Sequence, residues 1–542
     1  VLLPTLLLLG EGARLVGSTV GQTLKRRVDG SLRRRVLAVS LGPPGIAHLE
    51  DPELLSLQGA ARNLSPFSFT PGDAAVELTS GMAVRLQPVL AALVLAWFEP
   101  TLAVLALVVW FVAHVMFVKA TVRLVMGAAL TMSSPEVVYL RDLVQGPEAA
   151  KEVRVFGLGG WLGGRFLDLT RQRMALSLAQ RTGDLRSYLR AGSVLGLGLV
   201  AGLLWVGVAA TRSQLDATAA AVCVFALLGV FSVPNLFPDV PVMFGTFSVG
   251  AVEAAERARR ERPEVVAPLA GEAPAPAVVD GIRFRDVTFA YPSGGDPVIE
   301  HLDLFIPAGQ RLAVVGLNGA GKTTMVKLLC RLYDPDAGRI EVDGVDLASV
   351  AADAWRRRVG VLFQDFVRWQ LPLDDNVCLR PGGGVAASPT GSAEAAAARA
   401  GLAPLVDELP NGWATILSPS ARGGVDLSGG QWQRVALARG LHAVETGASV
   451  LVLDEPTANL DPRAELEFYE SVLRGPLGSG RPVTTILISH RFATVRHADR
   501  IVVVDGGRIV EDGTHDELVA AEGRYHDLFE SQARTYAEAS DG

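Results

Sequence analysis

One stretch of this 542-residue chain narrows its fold more than any other. The apolar run 312–315 leads into Gly316-Leu317-Asn318-Gly319-Ala320-Gly321-Lys322-Thr323-Thr324, and a helical pattern follows over 325–332. A strand, a glycine-rich turn and a helix, with Lys-Thr in register with the last glycine, make a phosphate-binding loop. The glycines let backbone N–H groups point at a phosphate. The new helix adds unpaired donors and the positive end of its dipole. Lys322 is placed to reach the outer phosphates, and the Thr323 hydroxyl to bind Mg²⁺. Such a loop belongs to an α/β domain. With 312–315, the short β-branched runs 359–363, 450–453, 484–488 and 500–504 read as its buried strands.

The run 450–453 ends in Asp454-Glu455. A carboxylate there emerges at the edge of the sheet, where Asp454 can hold Mg²⁺ through water, and Glu455 projects differently. Upstream, Asp426-Leu427-Ser428-Gly429-Gly430-Gln431 opens a helical pattern over 431–439, so it offers a second helix N-terminus with anion-facing donors. The phosphate loop, the Leu-Ser-Gly-Gly-Gln run and the strand ending in two acids together resemble the ATP-binding cassette (ABC) family.

That resemblance makes ATP both ligand and energy source. It implies that Glu455 polarises the attacking water, and that Gln364 touches Mg²⁺ and the membrane domain. It implies that His490 contacts the γ-phosphate and that Tyr291 stacks on adenine. Tyr291 has a second reading, as an aromatic that packs the turn before Pro292. The resemblance also implies a shared site. Ser428, Gly429, Gly430 and Gln431 of one subunit would cover the ATP held by residues 316–324 of another, with Asp461 speaking across the interface.

The mean hydropathy of +0.31 is high for a soluble protein, and the apolar residues crowd into the first half. Five membrane spans are expected, at 1–20, 76–98, 101–118, 191–210 and from 217 past 247. Lys25, Arg26, Arg27, Arg33, Arg34 and Arg35 follow the first, Lys119 and Arg123 the third, and Arg257, Arg259, Arg260 and Arg262 the fifth. The turns at Glu99 and 211–216 hold one base, Arg212. Basic loops stay cytoplasmic, so those turns face outward and the cassette lies in the cytosol. The first span then runs inward. With Val at position 1, the expectation is an N-terminally incomplete chain holding five of six helices.

The expected organisation is multidomain: an all-α transmembrane bundle over 1–255, a linker over 256–281 and an α/β nucleotide-binding cassette over 282–542. Pro263, Pro268, Pro274 and Pro276 make the linker extended, and glycines over 381–391 mark a surface loop. The membrane half resembles exporter-type half-transporters of the plasma membrane, with candidate coupling helices at about 46–60 and 150–166 pressing near Gln364. Arg422 stands where such exporters commonly carry a Glu before the signature. Glu11, Arg14, Arg85 and Asp239 are ionisable positions within or beside the spans. Pro234, Pro238 and Pro241 are expected to bend the last helix.

A net charge of −7 with interspersed signs excludes nucleic acid as the evident partner. Cys223, Cys330 and Cys378 form no disulfide framework and read as small buried apolar residues. The functional reading is ATP-driven transport, in the export direction, by ATP-dependent dimerisation of the cassettes and a reset on hydrolysis. The partner is a second half-transporter, identical or different, in a lipid bilayer. One alternative is a non-transporting or assembly-defective ABC ATPase fragment. Another is a soluble mechanochemical ATPase of the DNA-repair type, which needs a long charged coiled coil in place of these apolar runs. No motif names the cargo.

Overall fold

The structure is a computed structural model that describes the backbone of every residue except 1, 63–68, 133–134, 147–148, 213, 233–238, 262–270, 293, 380–390, 458–471, 473–481 and 541–542. In several helical stretches, among them 2–18, 79–85 and 176–184, the backbone alone is described. Asp461 and the expected loop at 381–390 therefore lie outside the described residues, as do the side chains of Glu11, Arg14, Arg85 and Asp239. The chain divides into two compact units: Val1–Ser40 with Ser56–Ala258, and Leu41–Leu55 with Arg259–Gly542.

The first unit is helical. Its long elements are Leu2–Leu41, Pro71–Phe98, Pro100–Met132, Gly159–Thr211, Ala217–Val230 and Asp239–Glu261. Local chemistry sets their starts. Pro71 and Pro100 open helices where a missing N–H costs nothing. Thr70 and Asp73 form a capping box, with bonds of 3.2 and 2.9 Å. Asp216 accepts from the Ala219 N–H at 2.6 Å and caps the helix after the 211–216 turn. Gly159–Thr211 has 53 residues. At roughly 1.5 Å per residue it reaches about 80 Å, well beyond a hydrocarbon core of about 30 Å.

Among the described residues two stretches, Pro100–Arg123 and Leu185–Thr211, are long and apolar enough to cross a membrane, and Leu86–Phe98 and Ala217–Val230 are shorter apolar helices. They overlap four of the five expected spans. The fifth expected span covers two helices, Ala217–Val230 and Asp239–Glu261, and Pro234 and Pro238 lie outside the described residues. Pro241 sits in the first turn of the second helix, where proline is tolerated. Close approach is set by small residues. A Cβ on Gly198 would come within 2.7 Å of Val109, and one on Gly202 within 2.9 Å of Leu227. Outward-facing Phe111, Leu197, Leu204 and Phe225 are exposed, as suits side chains that face lipid.

The second unit has two sheets. A four-stranded antiparallel sheet runs in the order β2-β1-β4-β5, from β1 (Gly281–Phe289), β2 (Ile299–Pro307), β4 (Ala337–Val342) and β5 (Val345–Asp346). The larger sheet runs β10-β9-β3-β8-β7-β6. Its strands β3 (Arg311–Val315), β6 (Val359–Leu362), β7 (Val450–Asp454), β8 (Thr484–Ile488) and β9 (Arg500–Asp505) are parallel. The edge strand β10 (Arg508–Gly513) pairs antiparallel to β9. The five buried apolar runs of the sequence are these five parallel strands. β7 and β8 are buried at every position, which is why their sequences do not alternate.

Three apolar cores follow among the described residues. One packs the antiparallel sheet against the Lys322–Leu329 helix and Trp355, another packs the Gly429–Glu445 helix against Ala393, Ala396 and Ala397, and a third packs Ala313 and Val315 with Phe492, Leu518 and Tyr525. The segment 41–55 also belongs to this unit. Ile46 and Ala47 pack on its first core, and the Ile46 N–H donates to the Leu332 carbonyl at 3.2 Å. Arg356 donates to the Pro44 carbonyl at 2.6 Å. The Glu50 carboxylate takes Lys327 at 3.2 Å and also the Tyr333 hydroxyl. Of the expected linker, Ala273 is extended and bridged to Val350, with bonds of 3.1 Å to Ser349 and 3.0 Å from Ala351.

All three cysteines are buried. Burial pushes the Cys330 thiol up to about 12. In the folded full chain at neutral pH, Cys330 is therefore expected to resist a thiol-specific maleimide and to react at the ordinary free-thiol rate once denaturant is added. Mass-spectrometric mapping of the labelled peptide checks this, and rapid native labelling would contradict the packing.

Candidate functional site

Strand register assembles the site. Val314 pairs with Ile488 across β3 and β8, and Ile488 pairs with Asp454 across β8 and β7. Leu362 pairs with Leu453 across β6 and β7. The next residues of each strand therefore leave the sheet side by side at its carboxyl edge, where open α/β sheets bind ligands. They are Gly316 onward, Ser489-His490, Glu455 and Gln364. Gly316, His490, Glu455 and Gln364 line, with Tyr291, one cleft of about 1370 Å³. Of the residues expected to bind nucleotide, Gly316, Asn318, Gly319, Gly321, Lys322, Thr323 and Thr324 also line it, whereas Ala320 is buried behind the loop.

Glycine is required at two points of the loop. Gly321 has φ 103 and is the N-cap of the Lys322–Leu329 helix. A Cβ on Gly316 would meet the Val504 carbonyl oxygen at 2.2 Å. The Lys322 ammonium folds back to donate to the Gly316 and Leu317 carbonyls at 2.7 and 2.8 Å. Burial pulls its pKa below the usual lysine value, and the negative charges of Glu455 and Asp454 oppose that pull.

Asp454 is 1% exposed, and the Thr323 hydroxyl donates to it at 3.0 Å. Burial pushes the Asp454 carboxyl above the usual range, with the Thr323 bond acting against the shift. Glu455 has φ 50, a left-handed backbone that costs a non-glycine residue about 1–3 kcal/mol. The turn is clamped by Gln433, whose amide donates to the Glu455 and Pro456 carbonyls at 3.2 and 2.5 Å. Its carboxylate takes the Gln364 amide at 3.0 Å on one oxygen and meets His490 Nδ1 at 3.2 Å on the other. The paired groups Gln364, Glu455 and His490 thus meet over the loop.

Mg²⁺ suits this donor set. A hydroxyl, a buried carboxylate and an amide are hard oxygen ligands, and Mg²⁺ with a phosphorylated ligand needs only one or two carboxylates from the protein. Among the described residues no cluster of three or more His, Cys, Asp or Glu could hold a metal unaided.

Tyr291 lines the cleft, with its hydroxyl 2.9 Å from the Thr324 hydroxyl, and it packs edge-on against Phe289 and Tyr333 at 5.2 and 5.5 Å. The Lys327 ammonium lies 4.9 Å from its ring centre.

Ser428 caps the Gly429–Glu445 helix in a capping box with Gln431, with bonds of 3.3 and 2.9 Å. The helix N-terminus expected there is present, and Ser428 is exposed. Among the described residues that line the cleft, none is Ser428, Gly429, Gly430 or Gln431. Arg422 is exposed on the preceding turn. Sequence reasoning missed Gln433, and it missed Leu528, Ser531 and Gln532, which line the cleft from the Arg524–Ser540 helix. The one available signal was the apolar face of that helix.

Residues 299–458 match the family described as "ABC transporter". The chain is 40% identical over 254 residues to the ATP-dependent lipid A-core flippase of Thiobacillus denitrificans, covering 47% of this chain and 42% of that one. It is 38% identical over 262 residues to the alpha-hemolysin translocation ATP-binding protein HlyB of Escherichia coli O157:H7, covering 48% and 35%. The chain thus spans less than half the length of these curated relatives. A bacterial Atm1-family ABC exporter solved with ATP bound shares the fold along 97% of this chain and 88% of its own, with a TM-score of 0.70 and 23% identity.

A carboxyl whose folded pKa lies above its unfolded value stabilises fully only at low pH, and the contribution is lost as pH rises through the folded pKa. At neutral pH the ionised Asp454 therefore costs stability. Asp454→Asn is expected to raise the melting temperature of the nucleotide-free protein at pH 7 by roughly 1–4 °C. The gain should shrink as pH falls toward about 4. Differential scanning fluorimetry across pH checks both signs.

Proposed function

We propose, on the premise that this chain is a member of the ABC transporter family, that it hydrolyses ATP to drive transport across a membrane in the export direction. The observation that carries this reading is the meeting of Lys322, Thr323, Asp454, Glu455, Gln364 and His490 in one cleft at the carboxyl edge of the sheet. The phosphates of ATP would lie against the N–H groups of 316–324, and Tyr291 would face the base. Mg²⁺, held by Thr323, Asp454 and Gln364, would neutralise charge on the phosphates. Glu455 would take a proton from the water that attacks the terminal phosphorus as the bond to the bridging oxygen breaks. His490 holds that carboxylate and would contact the terminal phosphate.

The signature helix supports a shared site. Ser428 at its N-terminus is exposed, and none of Ser428, Gly429, Gly430 and Gln431 is among the described residues that line the cleft. A second cassette, placed head to tail, would bring its own Ser428 and glycines to the open side of the cleft. ATP would then act as a removable link between two half-transporters. Hydrolysis would weaken the link and reset the membrane helices. The plasma membrane is the proposed location, with several spans in it. The long helices and the apolar stretches support that reading. The segment 41–55, packed beside the helix that follows the phosphate loop, is the proposed point where the membrane half feels the nucleotide.

Three experiments on the lipid-embedded full chain test this. Glu455→Gln is expected to bind ATP, to lose roughly 10²–10⁴ in turnover and to accumulate as a closed dimer. Unchanged turnover would exclude Glu455 as the base, and a monomer with ATP bound would exclude the shared site. In mixed dimers, Lys322→Ala paired with Ser428→Arg on the other chain should lose activity less than either change present in both chains. A substrate screen that finds ATPase stimulation, with uptake into inverted vesicles, supports transport, and hydrolysis without any transport would sink it.

A further inference from the structure

The Arg524–Ser540 helix places Tyr525, Leu528, Phe529 and Gln532 along one face, at the spacing of neighbouring helical turns. Tyr525 and Phe529 meet the Phe492 ring edge-on at 5.2 and 5.5 Å. His515 meets the same two rings at 5.7 and 5.3 Å. This aromatic stack sets the position of the helix against the loop that follows β8.

At that position, Gln532 grips the loop with both ends of its amide. Its Oε1 accepts from the Phe492 N–H at 3.0 Å, and its Nε2 donates to the His490 carbonyl at 2.9 Å. The pairing fixes the amide orientation, because the flipped form would set donor against donor and acceptor against acceptor. The grip also meets a local need. Phe492 opens the short helix Phe492–Val495, whose N-cap, Arg491, makes no side-chain capping bond to it. Its first N–H is one that a helix leaves without an internal partner. Gln532 supplies that acceptor from 40 residues away. The other end of the amide holds the peptide that carries the His490 imidazole, which meets Glu455 at 3.2 Å.

We propose that Gln532 is a positioning residue for ATP hydrolysis: through the backbone on either side of Arg491 it sets where His490 stands relative to Glu455. The C-terminal helix is therefore part of the hydrolytic apparatus, though none of its residues belongs to the nucleotide motifs. The inference rests on the reading of the cleft as an ATP-hydrolysing site.

The test compares wild type, Gln532→Leu and Gln532→Glu in the lipid-embedded full chain. Leu removes both bonds. Glu keeps the acceptor for Phe492 but cannot donate to His490 when ionised. Gln532→Leu is expected to lower kcat about tenfold, with KM for ATP within about twofold of wild type, and Gln532→Glu is expected to fall between the two. Combined with His490→Ala, the Leu change should add almost nothing, because both act through one side chain. Hydrogen exchange gives a readout independent of catalysis, and amides of 489–495 should exchange faster in Gln532→Leu. Unchanged exchange in that segment overturns the proposal whether or not the wild type hydrolyses ATP. Wild-type kcat, equal losses in kcat and ATP affinity, or full additivity with His490→Ala also overturns it. A wild type without ATPase activity, but with the faster exchange in the variant, would leave the grip standing and defeat only the reading of the cleft.

Discussion

A single hydrogen bond, from the Thr323 hydroxyl to the Asp454 carboxylate, joins the two segments on which the cassette's chemistry depends. They are 131 residues apart in sequence and meet because β3 and β7 flank β8 in the same register. The bond sits at the only kind of place in an α/β sheet where a helix start and a strand end face the same space. A phosphate chain needs the first and a metal needs the second. Burial makes the pair electrostatically uncomfortable, because Asp454 and Lys322 are both driven toward their neutral forms. A positive charge beside Asp454 and a negative one beside Lys322 would each restore the charged form.

Much of this arrangement was legible in the residues. Buried parallel strands need continuous apolar runs, so all five could be read, and the loops that follow them carry the reactive side chains. The antiparallel sheet was harder. β1 alternates inward and outward positions, and its ladder to β2 is broken by irregularities near Asp286 and Val287. Asp286 and His301 have φ 48 and φ 49, so the expected alternation slips within each strand. In the helical unit, the prolines after 230 pointed to a bend, and the chain there forms two helices, Ala217–Val230 and Asp239–Glu261.

The residues that escaped notice share a cause. Gln433 and Gln532 both act on main-chain groups, and a bond to a carbonyl or an N–H demands no particular partner residue. No motif records it. Gln433 holds the turn that gives Glu455 its left-handed backbone, and without it the cost of that conformation falls on the carboxylate's own contacts. Around Glu455, then, the side chains that touch it come from recognisable loops, whereas the scaffolding comes from positions that only coordinates reveal. Arg422 shows the reverse: it is noticeable in sequence because it replaces a common acid, yet it projects from an exposed turn.

The segment 41–55 carries a consequence for where this protein can be divided. Proline and alanine around position 268 invite a cut there, and a cassette released at that point would have its strands, its phosphate loop and its signature helix. It would also be missing Pro44, Ile46, Ala47 and Glu50, which cover Leu332, Tyr333 and Arg356. Lys327 and Tyr333, next to Tyr291, would lose their shared carboxylate. An excised cassette is thus a wounded one: it would present a bare greasy strip and an ammonium without its carboxylate beside Tyr291, and affinities measured on it would describe a different surface from the one the whole chain offers.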